Sequence, residues 1–366
     1  MRKIAILLFS MAVVFAACKQ KNDNSYTLKG SMTLENTDFE GITVYLFNYH
    51  NDGKDMDSPI DSAVVSNGVF TFSDTVTAAR LQGLLATDNN GEQYLMVFVA
   101  EPGEITCDLS KSTLRGTPLN NQLNRYFVIL HDINKEYEQI IQSDSEDADA
   151  QSDALYNEFL DSLTTCYTNN KTNVLGTYLL PILISSTMNS EKENMIGLIH
   201  SYFDGAAPFV VNDPGVVKVM ETVKAIENTM EGKHFTDIDV IDFKTGEMIK
   251  LSQLIEGKVA LIDFWASWCR PCRGEIPYIA SIHENYSKEM VVVSLNVWDK
   301  PDSYEAAVKE MNMNWTLVSD TTMNATRTYG VSGIPQIILI GTDGTILKRN
   351  LREQGIETAV KEALGK

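Results

Sequence analysis

The stretch that decides the fold is residues 259–272, with the sequence VALIDFWASWCRPC. Its first seven residues, through Trp265, form an apolar run typical of a strand that is buried on both faces. Cys269 and Cys272 follow after a gap of three residues, and isoleucines then recur at helical spacing. The pattern predicts a buried strand, a short loop, and a helix that begins at the two cysteines.

The position of the cysteines at the start of a helix has a chemical consequence. Unpaired backbone N–H groups and the positive end of the helix dipole both stabilise a thiolate there. We therefore expect Cys269 to be the attacking thiol, with a pKa below that of free cysteine. Cys272 lies about one turn further on, where it can attack a mixed disulfide and release the partner. This hypothesis requires that Cys269 can be reached from solvent.

Two cysteines at this spacing are also half of a typical zinc site. The sequence contains no second such pair, and its five histidines include no closely spaced pair. We therefore expect neither a metal nor another cofactor. With 30 basic and 49 acidic side chains the chain has a net charge of -19, which excludes general binding to nucleic acid.

The N-terminus has the features of an export signal. Arg2 and Lys3 precede an uncharged run over residues 4–17, which is shorter than the ~20 residues that a spanning helix needs. We expect a signal peptide over residues 1–17. The small residues before Cys18 resemble the lipobox of bacterial lipoproteins, so Cys18 is expected to be acylated and residues 18–25 to form a tether. A cleaved secretory signal with an incidental cysteine is the alternative.

At 366 residues the chain is long enough for two or three folded units. Residues 26–118 show short alternating runs separated by turns such as Asn67-Gly68, which predicts a small antiparallel β domain with a hairpin at that turn. Residues 119–230 are poor in proline and glycine and have apolar residues at helical spacing, which predicts a helical connector. Residues 231–366 contain all four tryptophans and form the third region.

Two segments of this third region resemble a known family. Residues 263–272 resemble the active-site segment of thioredoxins, and residues 331–335 (VSGIP) resemble their cis-proline loop. The segment RGEIP at 273–277 and the predicted hairpin at 240–251 resemble the TlpA, ResA and CcmG branch of membrane-anchored, extracytoplasmic thiol-disulfide oxidoreductases. The regions before it resemble Bacteroidetes-type lipoproteins, in which a domain of unknown function precedes the thioredoxin fold. The resemblance implies an α/β thioredoxin-like fold at the C-terminus.

The resemblance also implies roles for individual residues. Cys269 would be the nucleophile, Cys272 the resolving thiol, and Pro335 a cis-proline that faces them. A cis-proline leaves the backbone of Ile334 free to pair with an extended substrate, so Ile334 would influence the choice of partner. The exposed surface of Trp268 would contact the client.

Two acids match family positions. Asp263 matches the buried acid of thioredoxin, which exchanges a proton with the second cysteine, and Glu275 matches the active-site glutamate of the ResA branch. The sequence does not decide which of them lies near the sulfurs; we favour Asp263 for the proton and Glu275 for a role facing the substrate. A glutamate that merely suits the first turn of a helix is the alternative for Glu275.

The function implied is reduction of protein disulfides or of oxidised apocytochrome c cysteines, as in cytochrome c maturation, on the periplasmic or outer side of a membrane. A membrane-embedded reductase would supply the electrons, and client proteins with disulfides would be the partners. The Arg270-Pro271 dipeptide matches neither the common reducing nor the strongly oxidising members, so the direction rests on the resemblance alone. The alternative is a binding lipoprotein that uses the thioredoxin fold as a scaffold.

Two further possibilities concern the remaining cysteines and a related chemistry. Peroxiredoxins share the thioredoxin fold but need a threonine or serine three positions before the nucleophile. This chain has Ala266 there, so we do not expect peroxidase activity. We expect Cys107 and Cys166 to be buried apolar residues, with a disulfide between them as the alternative.

Overall fold

The computed structural model describes residues 24–366 apart from residues 36, 51–57, 144, 146, 191 and 193. The predicted signal peptide and Cys18 lie outside the described residues. The chain divides into two compact units. The first contains the described residues up to Leu183 together with Gly205–Val210, and the second contains Ile184–Asp204 and Val211–Lys366.

The N-terminal unit begins with eight strands in two four-stranded sheets. They are β1 (Ser25–Ser31), β2 (Thr43–Asn48), β3 (Asp61–Val64), β4 (Val69–Thr75), β5 (Arg80–Thr87), β6 (Gln93–Ala100), β7 (Gly103–Asp108) and β8 (Thr113–Arg115). The strand orders are β4-β1-β7-β8 and β3-β2-β5-β6. All pairings are antiparallel, as predicted, except that β1 and β7 are parallel.

The predicted hairpin at Asn67-Gly68 forms only its turn. Both residues have positive φ, 51° and 73°, which an Asn-Gly pair accommodates at little cost. Ser66 and Val69 form a single bridge across the turn, and β3 and β4 then join different sheets. The expectation of a continuous hairpin was therefore wrong, because each strand finds its main partner elsewhere in the sandwich.

Residues 119–230 are helical, as their spacing predicted. The helices are α1 (Pro118–Gln142), α2 (Ala148–Thr168), α3 (Leu175–Met188), α4 (Met195–Ser201), α5 (Pro208–Val211) and α6 (Pro214–Asn228). α1 and α6 each begin with a proline, which has no N–H to leave unpaired in the first turn. α1 and α2 belong to the first unit, whereas α6 belongs to the second. No helix within the described ranges has the length and apolar character needed to cross a bilayer.

The second unit contains a seven-stranded mixed sheet. Its elements are β9 (Asp239–Asp242), β10 (Met248–Lys250), α7 (Leu251–Ile255), β11 (Val259–Trp265), α8 (Arg270–Tyr286), β12 (Met290–Val297), α9 (Pro301–Glu310), β13 (Thr316–Asp320), α10 (Asn324–Tyr329), β14 (Gln336–Ile340), β15 (Ile346–Lys348) and α11 (Glu353–Ala363). The order is β10-β9-β13-β12-β11-β14-β15. β11, β12 and β13 are parallel, and β14 runs antiparallel to β11.

The central strand β11 separates two apolar cores. All seven of its residues are buried, as predicted. Leu261 and Trp265 face one core, which also contains the cysteines and the inner side of α8, whereas Ile262 and Phe264 face the other. Because side chains alternate along a strand, Asp263 points toward the core that contains the cysteines.

A half-buried arginine, Arg349, connects α6 to this sheet. The guanidinium of Arg349, just after β15, donates to the carbonyl oxygen and the hydroxyl of Thr229, both at 2.7 Å, and to the carbonyl oxygen of Tyr329 at 2.8 Å. Thr229 follows the last residue of α6, and Tyr329 ends α10. Arg349 therefore satisfies carbonyl groups at the C-terminal ends of two helices, which have no partner within their own helix.

Candidate active site

The two cysteines lie where β11 passes into α8. Cys269 is the N-cap of α8 and forms a disulfide with Cys272, with their Cα atoms 5.3 Å apart. The backbone N–H of Cys272 also points at the sulfur of Cys269, at an N···Sγ distance of 3.2 Å. The predicted placement of the first sulfur against the open end of the helix is therefore present. These backbone donors would stabilise a thiolate at Cys269 after reduction.

Solvent access to the sulfurs is small. Cys269 is 3% exposed and Cys272 is 1% exposed, whereas the adjacent Trp268 is 62% exposed. Both cysteines are therefore buried in this oxidised form, and the expectation that Cys269 can be reached from solvent is not met in it. An incoming thiolate needs neighbouring side chains to shift before it can align with the sulfur.

The predicted cis-proline loop lies beside the disulfide. The Ile334-Pro335 peptide bond is cis. The carbonyl oxygen of Ile334 is 3.7 Å from the sulfur of Cys269. The half-buried side chain of Ile334 packs against both cores. The structure therefore brings Cys269, Ile334 and Pro335 together, although they are more than 60 residues apart in sequence.

Asp263 is buried behind the cysteines. Its neighbour in the β12 register, Ser294, donates to one carboxylate oxygen at 3.1 Å, and Ser294 itself accepts from the indole N–H of Trp315 at 2.9 Å. The second carboxylate oxygen has no partner within the described part of the chain. Burial raises the pKa of Asp263 to about 7, and the negative charge of Glu275 adds to the rise. The Ser294 hydrogen bond and the charge of Arg352 act in the opposite direction.

A carboxyl group with these properties is suited to proton transfer. It exchanges its proton near neutral pH, and its free oxygen can accept a proton without breaking an existing hydrogen bond. Both features follow from the position of Asp263 on the buried face of a central strand.

Glu275 is also buried, at 6% exposure, and its position changes two of our expectations. It lies beyond the first turn of α8, which contains no acidic residue, so the preference of that turn for acids does not explain it. Its carboxylate accepts from the backbone N–H of Glu353 at 2.8 Å. The expectation that Glu275 faces the substrate was wrong, because its carboxylate turns inward to the start of α11. The negative charge of Glu275 acts on Asp263, so the two acids lie within electrostatic range of each other. The role of Asp263 in proton transfer stays a prediction.

The two tryptophans beside the motif have different environments. Trp265 is 0% exposed and packs edge-to-face against Tyr304 in the core. Trp268 projects into solvent and donates from its indole nitrogen to the carbonyl oxygen of Trp298 at 3.0 Å. Trp265 therefore fits ordinary core packing, and only Trp268 offers a surface for a partner.

Sequence analysis missed Asp299, which holds the loop before Cys269. Its carboxylate accepts from the backbone N–H of Ser267 at 2.6 Å and from the Ser267 hydroxyl at 2.9 Å. It also accepts from the side chain of Asn296 at 3.0 Å and from the backbone N–H of Lys300 at 2.9 Å. Burial alone would raise the pKa of Asp299, but these hydrogen bonds outweigh burial and keep it below its usual value. No local pattern marks an acid that acts 32 residues away in sequence.

Arg352 was also missed. It is the N-cap residue of α11, and its guanidinium donates to the carbonyl oxygens of Pro335 at 2.6 Å and Leu351 at 2.7 Å. In sequence it is one of several basic residues near the C-terminus, with nothing to distinguish it.

Cys107 and Cys166 belong to the first unit and do not form a disulfide with each other. Cys107 and Cys166 are free thiols, so the alternative of a disulfide between them was wrong. Burial raises the pKa of Cys107 to about 12 and also raises that of Cys166, which makes both poor nucleophiles at neutral pH. Among the described residues there is no group of three or more histidine, cysteine, aspartate or glutamate side chains that could hold a metal ion.

Comparison with known proteins agrees with the fold. Residues 232–349 match the AhpC/TSA family, and residues 26–123 match a domain of unknown function, DUF4369. The chain is 32% identical over 110 residues to the thiol-disulfide oxidoreductase ResA of Bacillus subtilis, covering 30% of this chain and 61% of that protein. It is also 32% identical over 120 residues to the thiol:disulfide interchange protein CycY of Rhizobium leguminosarum, covering 31% of this chain and 63% of that protein.

A solved structure is also similar in sequence. A protein from Chlorobium tepidum described as a thiol:disulfide interchange protein DsbE is 31% identical, with 37% of this chain and 99% of that chain aligned and a TM-score of 0.35. The predicted relationship to thiol-disulfide oxidoreductases and the thioredoxin-like fold of the C-terminal region are thus confirmed. The match of an N-terminal domain of unknown function is confirmed as well. The chain spans less than two thirds of the length of ResA and CycY.

Proposed function

We propose that the protein is a thiol-disulfide oxidoreductase that reduces client disulfides with Cys269 and Cys272. One observation supports this most directly: a disulfide at the start of a helix lies in the same buried core as an acid that titrates near neutral pH. A disulfide that served only stability would gain nothing from a buried carboxyl group, which costs free energy to ionise.

The proposed reaction begins with the reduced pair. The Cys269 thiolate attacks one sulfur of a client disulfide, which forms a mixed disulfide and releases the first client thiolate. Cys272 then loses its proton to Asp263 and attacks the Cys269 sulfur, which releases the second client thiolate and leaves Cys269 and Cys272 oxidised. The client gains two electrons and two protons in all, one proton from Cys272 through Asp263 and the other from solvent. An external dithiol must then reduce the pair again.

The position of the surrounding groups supports this sequence of steps. The backbone N–H of Cys272 favours the thiolate at Cys269, and the free oxygen of Asp263 is available for the proton. The Ile334 backbone and the exposed face of Trp268 provide the surface on which an extended client would lie. Reduction of a disulfide between apocytochrome c cysteines is the finer form of the proposal, and its support is the resemblance of residues 263–277 to the TlpA, ResA and CcmG branch.

The experiment is a trap. In Cys272→Ser the mixed disulfide at Cys269 cannot be resolved, so clients should remain attached and be identified by mass spectrometry. Cys269→Ser is the matched control and should trap none. The wild type should also accelerate the reduction of insulin by dithiothreitol above the rate without the protein. If the rate is not raised and Cys272→Ser traps no more than Cys269→Ser, the proposal is wrong.

We also propose that the protein is anchored to a membrane through acylated Cys18 and acts outside the cytoplasm, with a membrane reductase as the donor. The apolar run before Cys18 supports this. Labelling with a radioactive fatty acid should mark the wild type but not Cys18→Ser. Label on both proteins, or on neither, contradicts the anchor.

A second candidate is binding by the N-terminal unit, with the thioredoxin fold as a scaffold. A cleft of about 340 Å³ in that unit supports it. Its walls include Leu95, Val97, Phe127 and Leu130, with His131 and Asn134 as polar groups. A double variant, Cys269→Ala with Cys272→Ala, separates the two functions in cells. If the double variant returns a deletion strain fully to the wild-type phenotype, binding rather than redox chemistry is the function.

A further inference from the structure

Three groups meet at the start of α11. The guanidinium of Arg352 donates to the Pro335 carbonyl at 2.6 Å, and the next residue, Glu353, donates its backbone N–H to Glu275 at 2.8 Å. The N-terminus of α11 is therefore bonded both to the cis-proline loop and to the buried acid of α8. These contacts span 17 and 78 residues of sequence, so the start of α11 contacts two parts of the site that are far apart in sequence.

The charge of Arg352 also acts on this acid pair. Its positive charge lowers the pKa of Asp263, in opposition to Glu275, whose negative charge raises it. The other groups around Asp263 are Ser294 on β12, which donates to it, and Trp315, which donates to Ser294. Arg352 is therefore the cationic group that acts on Asp263.

We propose that Arg352 is a positioning residue of the redox site: its guanidinium joins the Pro335 loop to the start of α11, next to the backbone N–H that binds Glu275. From this position its positive charge favours the ionised form of Asp263, which must accept the proton of Cys272. This rests on the proposed function and deepens it. An arginine suits this task because its planar group can bond a carbonyl while its charge remains fixed at every pH of interest. The client surface at Ile334-Pro335 and the proton acceptor are then linked through a single side chain.

The linkage has a direct consequence. Without the charge of Arg352, the ionised form of Asp263 is less stable, so the carboxyl keeps its proton to higher pH. The proton transfer from Cys272 then becomes efficient only at a more alkaline pH. A loss of one favourable charge interaction of this kind changes the proton affinity by about tenfold, or about one pH unit.

The test is a titration of Asp263 in the full-length oxidised protein without any client. The γ-carbon of aspartate is labelled with 13C, and the signal of Asp263 is identified by its loss in Asp263→Asn. Two neutral variants, Arg352→Gln and Arg352→Met, should each shift the Asp263 midpoint up by about one pH unit. Arg352→Lys retains the charge and should leave the midpoint close to that of the wild type.

A second readout follows the reaction. The rate at which the mixed disulfide is resolved should rise with pH at the same midpoint as the Asp263 signal, and both should move together in the neutral variants. An Asp263 midpoint in Arg352→Gln or Arg352→Met equal to that of the wild type would overturn the proposal, and either folded variant is sufficient to show it. The titration does not depend on activity. The expected shift of the Asp263 midpoint can therefore be absent while insulin is still reduced, or present while insulin is not, which separates this proposal from the proposed function.

Discussion

Ser267 and Asp299 form a two-point contact in which the backbone N–H and the hydroxyl of Ser267 each donate to a different carboxylate oxygen, at 2.6 and 2.9 Å. Ser267 lies two residues before Cys269, and Asp299 lies in the loop after β12. The neighbouring Trp268 bonds to the same loop through the Trp298 carbonyl. The loop after β12 therefore determines the course of the chain into the first cysteine.

Asp299→Ala should destabilise the second unit and slow the exchange reaction. It leaves the partly buried N–H of Ser267 without an acceptor, at a cost of about 1–3 kcal/mol in the free energy of unfolding. Asp299→Asn retains one acceptor oxygen and should lie between Ala and wild type. Denaturant unfolding followed by tryptophan fluorescence gives the numbers, because all four tryptophans lie after residue 231. Equal stability of Ala and wild type would show that the contact is dispensable.

The Asp299 contribution should also depend on pH. The folded pKa of Asp299 is below the usual value, so its stabilising effect is present above the unfolded pKa of about 3.9 and is lost as the pH falls through the folded pKa. The stability difference between wild type and Asp299→Ala should therefore narrow in acid. A difference that stays constant from about pH 7 down to about pH 2 would contradict this.

Asp263→Asn should stabilise the oxidised protein at alkaline pH. The folded pKa of Asp263 is about 7. Because the unfolded pKa is about 3.9, the folded state binds an extra proton between these values, and the wild type loses stability as the pH rises through them. Asparagine cannot ionise, so the free energy of unfolding of the variant should exceed that of the wild type by up to about 4 kcal/mol above pH 7, with little difference near pH 4. Denaturant unfolding across this range measures it, and a variant no more stable at about pH 8 than the wild type contradicts the buried acid.

Glu275→Gln and Glu275→Ala should separate charge from hydrogen bonding. The glutamine oxygen can still accept from the N–H of Glu353, so its stability should resemble that of the wild type. Alanine leaves that N–H unpaired and should cost about 1–3 kcal/mol. Both remove the charge that raises the pKa of Asp263, so the Asp263 midpoint should move down, opposite to the shift in Arg352→Gln. An upward shift in Glu275→Gln would mean that the two acids do not interact as described.

Arg349→Met should destabilise the second unit strongly. It removes three hydrogen bonds from the guanidinium to oxygens of Thr229 and Tyr329, at a cost of about 3 kcal/mol. Arg349→Lys retains the charge but lacks the planar fork, so its loss should be smaller. The tryptophan-detected unfolding midpoint reports both. If methionine and lysine are equivalent to the wild type, α6 does not depend on this arginine.

Trp268→Ala should weaken client capture with little effect on stability, whereas Trp265→Ala should lower stability. Trp268 is 62% exposed, so its loss should change the free energy of unfolding by no more than about 0.5 kcal/mol while client capture weakens. Trp265 is 0% exposed, and its loss should cost about 3–5 kcal/mol. Circular dichroism gives the stabilities, and the yield of clients trapped by Cys272→Ser with and without Trp268→Ala gives the capture. An unchanged yield would remove Trp268 from the client surface.

Local features were predictable because their signals are contiguous in sequence. The strand, loop and helix around the cysteines were predicted in the correct order. Each was indicated by residues within a few positions of one another: the apolar run of β11, the two cysteines and the helical spacing after them. The helical character of residues 119–230 followed in the same way. The Asn67-Gly68 turn was also local, but the pairing of the strands beside it was not, and there the prediction failed.

The sequence by itself determined that a cysteine pair begins a helix after a buried strand, because backbone hydrogen bonding and side-chain periodicity are short-range. Only the tertiary structure decided the surroundings of that pair: the carboxylate of Asp299 under the Ser267 loop, the inward turn of Glu275, and the contact of Arg352 with Pro335. These contacts join residues that are 17 to 78 positions apart. They arise from the register of the sheet and the packing of helices on it, and such distances leave no period or spacing in the sequence.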